Sequence, residues 1–108
     1  MKDIRRTFEG FLKIAVRTGK VEMGYRSTLS SLKSAKLVVY SRSLNPERLQ
    51  ELLKAAKSNK ATVVEFDGTS IALGNACGRP FPVLALAIKS PGDADLDKFL
   101  EAVKDKVK

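Results

Sequence analysis

The sequence predicts an α/β fold, a three-layer αβα sandwich around a four-stranded mixed sheet. Segments whose apolar residues have helical spacing alternate along the chain with four short hydrophobic runs of strand length. The chain has 108 residues, of which 44% are hydrophobic and 30% are charged, a balance typical of a globular protein with one core. We therefore expect one domain over residues 1–108, with helices on both faces of the sheet.

The first half of the chain predicts three helices and two strands. Apolar residues recur with helical spacing from Ile4 to Val16, and Gly19 follows as a stop signal. The run Leu37–Tyr40 is contiguous and hydrophobic, as in a strand buried on both faces. The predicted elements are a helix over Lys2–Thr18, a strand over Val21–Gly24, a helix capped by Ser27 or Thr28 that carries Leu29, Leu32 and Lys33, a strand over Lys36–Ser41, and a helix that starts at Asn45-Pro46-Glu47.

The second half predicts two more strands and two more helices. Thr69 can accept a backbone hydrogen bond as an N-cap, and Gly78 can adopt the positive φ that ends a helix. The predicted elements are a strand over Thr62–Phe66, the helix from Thr69 to Gly78, a strand over Pro82–Ile88, a turn over Ser90–Asp93, and a C-terminal helical extension over residues 94–108 with Leu96, Phe99, Leu100, Val103 and Val107 on one face. That extension has two open interpretations, since it could cover the core or meet a neighbouring protein.

The charge is positive and unevenly distributed. The formal net charge is +8. Residues 1–60 hold 14 basic and 5 acidic residues, whereas residues 61–108 hold 6 basic and 7 acidic residues. A one-sided positive field attracts polyanions, so we expect a nucleic-acid partner, with an anionic membrane surface as the lesser alternative.

Several classes of enzyme and metal site lack their parts. The chain has no histidine and one cysteine, which excludes an internal disulfide, a His-based triad and a zinc site that needs histidine. It has no glycine-rich phosphate loop followed by Gly-Lys-Ser/Thr. Cys77 shares a predicted helix with Ile71, Leu73 and Ala76, so we expect a buried thiol rather than a reactive one. We expect no catalysis, no cofactor and no metal, and the start of the chain lacks the apolar core of a signal peptide, which favours a cytosolic protein.

Three predicted loops each follow a strand and precede a helix, so they could share one edge of the sheet. They are Gly24–Thr28, Ser41–Asn45 and Gly68–Ser70. Hydroxyls beside the N–H groups of a helix start suit phosphate, and nearby Arg79 and Phe81 add a planar cation and a flat face for a base. The alternative interpretation is a set of ordinary strand-to-helix connections with caps.

The order of several short motifs resembles a known family. The motifs are Lys20–Thr28 (KVEMGYRST), Lys36–Val39, Gly68–Ser70 with Leu73-Gly74, Gly78–Phe81 and Pro91–Asp93. In this order and over roughly residues 5 to 95, they resemble the L30e ribosomal proteins of the archaeal and eukaryotic large subunit, which belong to the L7Ae superfamily of kink-turn RNA binders. The Gly-Thr-Ser form of the third motif looks more like the archaeal branch.

The resemblance implies an αβα sandwich that grips a sharply bent internal loop of RNA along one edge. The positions that it assigns to RNA contact, together with the basic and polar residues of the nearby loops, are Gly24, Tyr25, Arg26, Ser27, Thr28, Lys33, Arg42, Ser43, Gly68, Thr69, Ser70, Gly78, Arg79, Pro80 and Phe81. Many relatives have asparagine where Ser43 stands, and some have it where Thr69 or Ser70 stands. Hydroxyls lack the paired donor and acceptor of an amide, so we expect base-edge contacts here to be weaker or to be made by backbone N–H groups.

The function that the resemblance implies is that of a structural constituent of the large ribosomal subunit. The expected partners are ribosomal RNA and neighbouring ribosomal proteins, with no membrane, and we expect the free protein to be a monomer located in the cytoplasm. The alternatives are a kink-turn protein outside the ribosome, such as a guide-RNA assembly factor, the RNA-binding partner of an RNA-modifying enzyme, and an adaptor that uses its last helix. The L7Ae type usually carries Gly-x-Asn-Glu in its first loop, whereas this chain has Gly24-Tyr25-Arg26-Ser27.

Overall fold

Helices and strands alternate through residues 4–108, the part of the chain that the computed structural model describes. The elements are α1 (Ile4–Thr18), β1 (Lys20–Met23), α2 (Tyr25–Ser30), β2 (Leu37–Tyr40), α3 (Pro46–Ser58), β3 (Thr62–Glu65), α4 (Ser70–Ala76), β4 (Ala85–Ser90), α5 (Leu96–Ala102) and a 3-10 turn (Lys104–Lys106). The predicted α/β class and the four-stranded mixed sheet are confirmed.

The sheet has the strand order β1-β4-β2-β3. β4 is antiparallel to both of its neighbours, and β2 is parallel to β3. It follows that β1, β2 and β3 all run in one direction. We call the end where these three strands finish and β4 begins the exit end of the sheet. The far end is where the three strands begin and β4 finishes.

Two hydrophobic layers cover the two faces of the sheet. α1, α4 and α5 pack on one face around Phe8, Phe66 and Leu86, and α3 with the α2 segment packs on the other around Val38 and Leu52. The first layer includes an aromatic cluster, in which the ring of Phe8 lies edge-on to Phe66 at 5.1 Å. This packing gives the three layers of the predicted sandwich.

α5 belongs to the hydrophobic core. The ring of Phe99 stacks on Phe11 at 4.1 Å and meets Phe8 edge-on at 5.2 Å. Phe99 and Val103 are both buried. Of the two interpretations left open for the C-terminal extension, the structure therefore supports cover of the core.

Two helix starts and one helix end lie where the sequence predicts them. The Asn45 side chain accepts a hydrogen bond of 2.8 Å from the Arg48 N–H, and the Thr69 hydroxyl accepts one of 3.3 Å from the Ala72 N–H. Gly78 follows α4 with φ of 77°. Local sequence signals are sufficient to predict these helix ends, because each capping residue bonds to backbone groups only a few positions away.

The second helix begins earlier than predicted. Ser27 and Thr28 are not its caps, because α2 already starts at Tyr25 with Gly24 at the N-cap position. Gly24 has φ of 105°, a conformation that glycine adopts readily and that turns the chain directly from β1 into the helix. The helix ends at Ser30, so Leu32 and Lys33 lie beyond it rather than on it.

The last strand and the last helix also differ from the prediction. β4 covers Ala85–Ser90 rather than Pro82–Ile88, because the Val83 N–H donates to the Ser70 carbonyl and ties this segment to α4. α5 stops at Ala102, and Val107 instead pairs with Val64 along the outer edge of β3. The other boundaries agree to within about two residues, except that the predicted start of α1 at Lys2 lies outside the described residues. None of the helices described between residues 4 and 108 combines the length and apolarity that crossing a bilayer requires.

Lys60 has an unusual backbone conformation for a non-glycine residue. Its φ is 56°, in the left-handed region. The Lys60 N–H donates to the Lys57 carbonyl and the Ala61 N–H donates to the Ala56 carbonyl, which together make the Schellman ending of α3. Glycine is the residue that usually occupies this position, because it has no Cβ to clash.

We predict that Lys60→Gly stabilises the protein by about 0.5–1 kcal/mol, because glycine relieves the left-handed strain. Chemical denaturation of both proteins measures the difference. Lys57→Gly, inside the last turn of the same helix, is the matched control and should cost about 1 kcal/mol. Destabilisation by both substitutions would contradict the prediction.

Candidate nucleic-acid interface

The topology brings four segments together at the exit end of the sheet. They are the loops that follow β1, β2 and β3 and the segment that leads back into β4. Backbone hydrogen bonds connect them: the Gly24 N–H donates to the Ala85 carbonyl at 2.8 Å, and the Ser41 N–H donates to the Leu84 carbonyl at 2.9 Å. The predicted convergence of three loops on one edge is therefore present in the fold, with the Gly78–Phe81 segment beside them.

Backbone and side-chain contacts connect the second loop to the third. The Arg42 N–H donates to the Gly68 carbonyl at 2.8 Å, and the Arg42 guanidinium pairs with the Asp67 carboxylate at 3.0 Å. The Ser70 N–H donates to the Ser43 hydroxyl at 3.0 Å. Both loops are thus held in one arrangement by contacts within the protein.

Arg5 fixes the third loop from outside it. Its Nε donates to the Asp67 carbonyl at 2.9 Å, a second guanidinium nitrogen donates to the same oxygen, and the cation lies 5.2 Å from the centre of the Phe66 ring. Gly68 lies directly against this guanidinium, since a Cβ at Gly68 would be 2.7 Å from it. No sequence motif indicates a role for Arg5, because its partners lie more than sixty positions away and no local pattern links them.

The hydroxyls at the start of α4 have partners within the protein. The Thr69 hydroxyl accepts from the Ala72 N–H, and the Ser70 N–H is taken up by Ser43. The sequence of this loop predicts exposed N–H groups at the helix start as a phosphate site. That expectation is wrong for Ser70 and Ala72, because neighbouring hydroxyls already satisfy both N–H groups.

The first loop presents one cation and directs its other side chains inward. Arg26 is exposed, whereas Thr28 is fully buried and its hydroxyl donates to the Gly24 carbonyl at 2.7 Å. Thr28 therefore shapes the turn, and the prediction that its side chain contacts RNA is not supported by its position. Ser27 is half-buried, between these two extremes.

Tyr25 connects α2 to α3. Its hydroxyl donates to the Glu51 carboxylate at 2.5 Å and lies 3.1 Å from the Arg48 carbonyl, and the Arg48 guanidinium lies over its ring. Burial, followed by the hydrogen bond and the charge of Glu51, raises the pKa of Tyr25 to about 12. Tyr25 is thus a neutral link between two helices, and its ring face is already occupied by a cation.

The segment Gly78–Phe81 runs along α4 and exposes an aromatic ring. Phe81 is 50% exposed. Its carbonyl lies so close to Gly74 that a Cβ there would overlap it, which explains the need for glycine at this position of the helix. Arg79 and Pro80 are also exposed, so the whole segment is accessible.

Two further sequence predictions, the burial of Ile71 and the place of Lys33 in the site, disagree with the structure. Ile71, which is predicted to share a buried helix face with Cys77, is 63% exposed on α4 and adds an apolar surface. Lys33 lies in the turns after α2 that lead to the start of β2, at the far end of the sheet. Cys77 is buried as predicted, and burial raises the pKa of its thiol to about 11.

Arginine is concentrated at the exit end. Six of the seven arginines lie in the loops and helix starts at this end or in the segment that returns to it: Arg5, Arg6, Arg26, Arg42, Arg48 and Arg79. Among residues 4–108, no group of three or more acidic or cysteine side chains is placed to hold a metal ion. Arginine binds phosphate in a planar, bidentate manner, and exposed apolar rings accept stacked bases, so this surface suits a structured nucleic acid.

Comparison with known proteins places the chain in a family. Residues 6–97 match the sequence profile described as the "Ribosomal protein L7Ae/L30e/S12e/Gadd45 family". The chain belongs to this family. Because the match includes all four segments of the exit end, the expectation from the sequence motifs is confirmed at the level of the family.

Several relatives of this L7Ae-family chain carry the name "Large ribosomal subunit protein eL30". The protein from Neurospora crassa is 41% identical over 79% of this chain and 80% of its own length. The archaeal proteins from Methanothermobacter thermautotrophicus and Sulfolobus acidocaldarius are 38% and 34% identical, and they cover 79% and 91% of this chain and 89% and 96% of their own lengths. The solved structure named "Giardia lamblia 15.5kD RNA binding protein" shares the fold, with a TM-score of 0.75 and 19% identity over 97% of this chain and 91% of that chain.

We predict that Gly74→Ala destabilises the protein by about 1–3 kcal/mol, because the new methyl group forces the Phe81 backbone away from α4. Gly10→Ala is the matched control, since a Cβ at Gly10 meets nothing within 4 Å and should stabilise α1 by about 0.5–1 kcal/mol. Denaturation midpoints of the two variants should move in opposite directions. A Gly74→Ala protein as stable as the parent would show that this close approach is not required.

We predict that Arg5→Met loosens the Asp67–Ser70 loop, because the Asp67 carbonyl loses both guanidinium donors. Hydrogen exchange of the Gly68 and Ser70 amides should become faster, and unfolding should require about 1–2 kcal/mol less. Arg17→Met removes a charge from the other end of α1 and should leave exchange in this loop unchanged. Equal exchange in both variants would remove Arg5 from its positioning role.

Proposed function

We propose that the chain is a structural constituent of the large ribosomal subunit that binds ribosomal RNA and has no catalytic role. The observation that carries this proposal is the convergence of four connected segments and six arginines at one end of the sheet. Relatives of the chain in the same family are named large-subunit proteins. The exit end of the sheet is the RNA-binding surface in this proposal.

The RNA feature that this surface takes is a kink-turn-like internal loop. Such a loop combines a sharp bend in the backbone with unstacked bases, which is the kind of single-stranded feature that proteins read in RNA. Arg26 and Arg79 are exposed and supply contacts to phosphate, while Phe81 and Ile71 supply apolar faces for an unstacked base. Arg42 already pairs with Asp67, so it acts first as a brace and offers its remaining donors to RNA.

Shape is the main basis of recognition in this proposal. The loops are joined by hydrogen bonds within the protein before RNA arrives, so little conformational entropy is lost when the complex forms. The resemblance implies asparagine in many relatives at the position of Ser43 and in some at Thr69 or Ser70, whereas the Ser43 and Thr69 hydroxyls accept backbone N–H groups here. Base-edge contacts by these two side chains are therefore minor, and backbone shape with arginine contacts supplies the selectivity.

The remaining parts of the proposal concern the setting of the protein. We place it in cytoplasmic ribosomes as a single domain over residues 1–108, with ribosomal RNA and neighbouring ribosomal proteins as partners and with a monomer as its free form. Co-sedimentation with large subunits after a high-salt wash tests this setting. Recovery in a smaller particle with a guide RNA would favour an assembly factor instead.

The central experiment is a binding titration with two RNAs at two salt concentrations. One RNA holds a kink-turn, and its control replaces the sheared G·A pairs of that turn with Watson–Crick pairs. Preferential binding to the kink-turn at both salt concentrations is the expected result, since shape rather than net charge makes the difference. Equal and steeply salt-dependent binding to both RNAs would refute the assignment of the exit end.

We predict that Phe81→Ala weakens kink-turn binding by about 1–3 kcal/mol, because the variant loses a stacking face for a base. Ile14→Ala removes another exposed apolar side chain, from α1, and should leave the affinity unchanged. Both dissociation constants come from the titration described above. A Phe81→Ala protein that is folded and binds like the parent would make Phe81 a packing residue only.

A further inference from the structure

The far end of the sheet carries a second set of cations, all of them lysines. Lys20 is the first residue of β1, Lys36 comes directly before β2, and Lys60 lies two residues before β3. Each of the three parallel strands is thus preceded or opened by a lysine. All three side chains are exposed, and we call them the lysine row.

The sheet fixes the spacing of the lysine row. β4 lies between β1 and β2, and β3 is next to β2, so the row spans three strand spacings or about 14 Å. Lys20 is paired with Ser90, and the Lys36 N–H donates to the Ile88 carbonyl at 2.8 Å. Lys60 is held by the Schellman ending of α3. The backbone positions are therefore rigid, while the ammonium groups are free to follow a line of phosphates.

The neighbouring charges leave this end positive. Exposed Lys33 and Lys57 lie in the segments that lead to Lys36 and Lys60. Lys89, near the end of β4, is neutralised by Glu22 at 3.7 Å. Three acidic residues of this end, Asp93 in the turn after β4 and Asp95 and Asp97 at the start of α5, offset part of the positive charge near Lys20.

Lysine and arginine serve different kinds of recognition. Arginine presents a rigid planar fork, whereas lysine is a hydrated point charge on a flexible stem. Point charges in a row suit a phosphate backbone read without regard to sequence. Val107 is an exposed apolar side chain that lines a cavity together with Lys60. One valine is a small apolar surface compared with the hydrophobic face with which proteins insert into a membrane surface, so the row favours nucleic acid.

We propose that the lysine row binds the phosphate backbone of a second, helical RNA segment while the exit end holds another. This site goes beyond the proposed function, because it makes the protein a bridge between two RNA segments on opposite ends of one sheet. The left-handed backbone of Lys60 supports this proposal. A lysine occupies a position where glycine would make the protein more stable, as expected if the cation has a function there.

The test uses a purified one-to-one complex of the protein with kink-turn RNA, to which a fluorescent, fully paired RNA duplex is added. The parent complex should bind the duplex. The triple variant Lys20→Gln, Lys36→Gln and Lys60→Gln should lose at least about tenfold in duplex affinity at about 0.1 M salt. The slope of log affinity against log salt should fall by about 2–3, as expected for three lost phosphate contacts.

A second triple variant controls for net charge. Lys13→Gln, Lys98→Gln and Lys104→Gln removes the same charge from exposed positions outside the row. It should change duplex affinity by less than about threefold, and both triple variants should bind the kink-turn RNA equally well. Lys60→Gly alone should weaken duplex binding and raise the unfolding temperature. A loss of affinity in this variant would therefore come from the lost lysine contact and not from a loss of folded protein.

Three results would overturn the lysine row as an RNA site. The first is an equal loss of duplex affinity in both triple variants, and the second is a parent complex that binds no duplex. The third is row-dependent binding to vesicles with about 30% phosphatidylserine in place of the duplex. If the kink-turn RNA does not bind, the proposed function is refuted but the lysine row is not. The same duplex titration, carried out on the parent and variant proteins without kink-turn RNA, then tests the row.

Discussion

The central, antiparallel position of β4 is the constraint on which the rest of this structure depends. Because β4 pairs with both β1 and β2, and β2 pairs in parallel with β3, three strands point the same way. Every loop that leaves those strands must therefore emerge at one end of the sheet. Loops separated by up to about forty residues in the sequence thus become neighbours through strand direction alone.

Contacts among these loops make the exit end a preformed surface. Asp67 is the clearest example, since its carbonyl accepts from Arg5 and its carboxylate pairs with Arg42. One residue thus connects the start of α1, the loop after β2 and the loop after β3. A surface braced in this way keeps its shape without a ligand, and that property favours the recognition of a bent nucleic acid by shape.

The sequence predicted those features that depend on near neighbours. The Asn45 and Thr69 caps, the Gly78 stop and the buried strands follow from interactions within a few residues, so local patterns were sufficient. The start of β4 was predicted too early because Val83 bonds to α4, a contact between segments that no short pattern reveals.

The same reason explains what was missed at the candidate site. Arg5 and Ile71 were not selected, since the first acts on a loop distant in sequence and the second has helical spacing but faces outward. Thr28 was selected as a contact and is instead an internal support. Hydroxyl residues at a turn look alike in sequence, whether they face a ligand or the backbone beneath them.

The backbone contacts of Val107 and Lys108 bear on how readily the edges of the sheet can pair with other chains. Val107 pairs with Val64, and the Lys108 N–H donates to the Val63 carbonyl at 2.8 Å, so part of the outer edge of β3 is already covered. An uncovered strand edge is a template on which other chains can pair and aggregate. The opposite edge, β1, has four residues, an irregular register at Lys20 and a charged pair between Glu22 and Lys89, all of which oppose such pairing. Chains shortened by as few as two residues at the carboxyl end would expose β3 and become prone to self-association while their core remained complete.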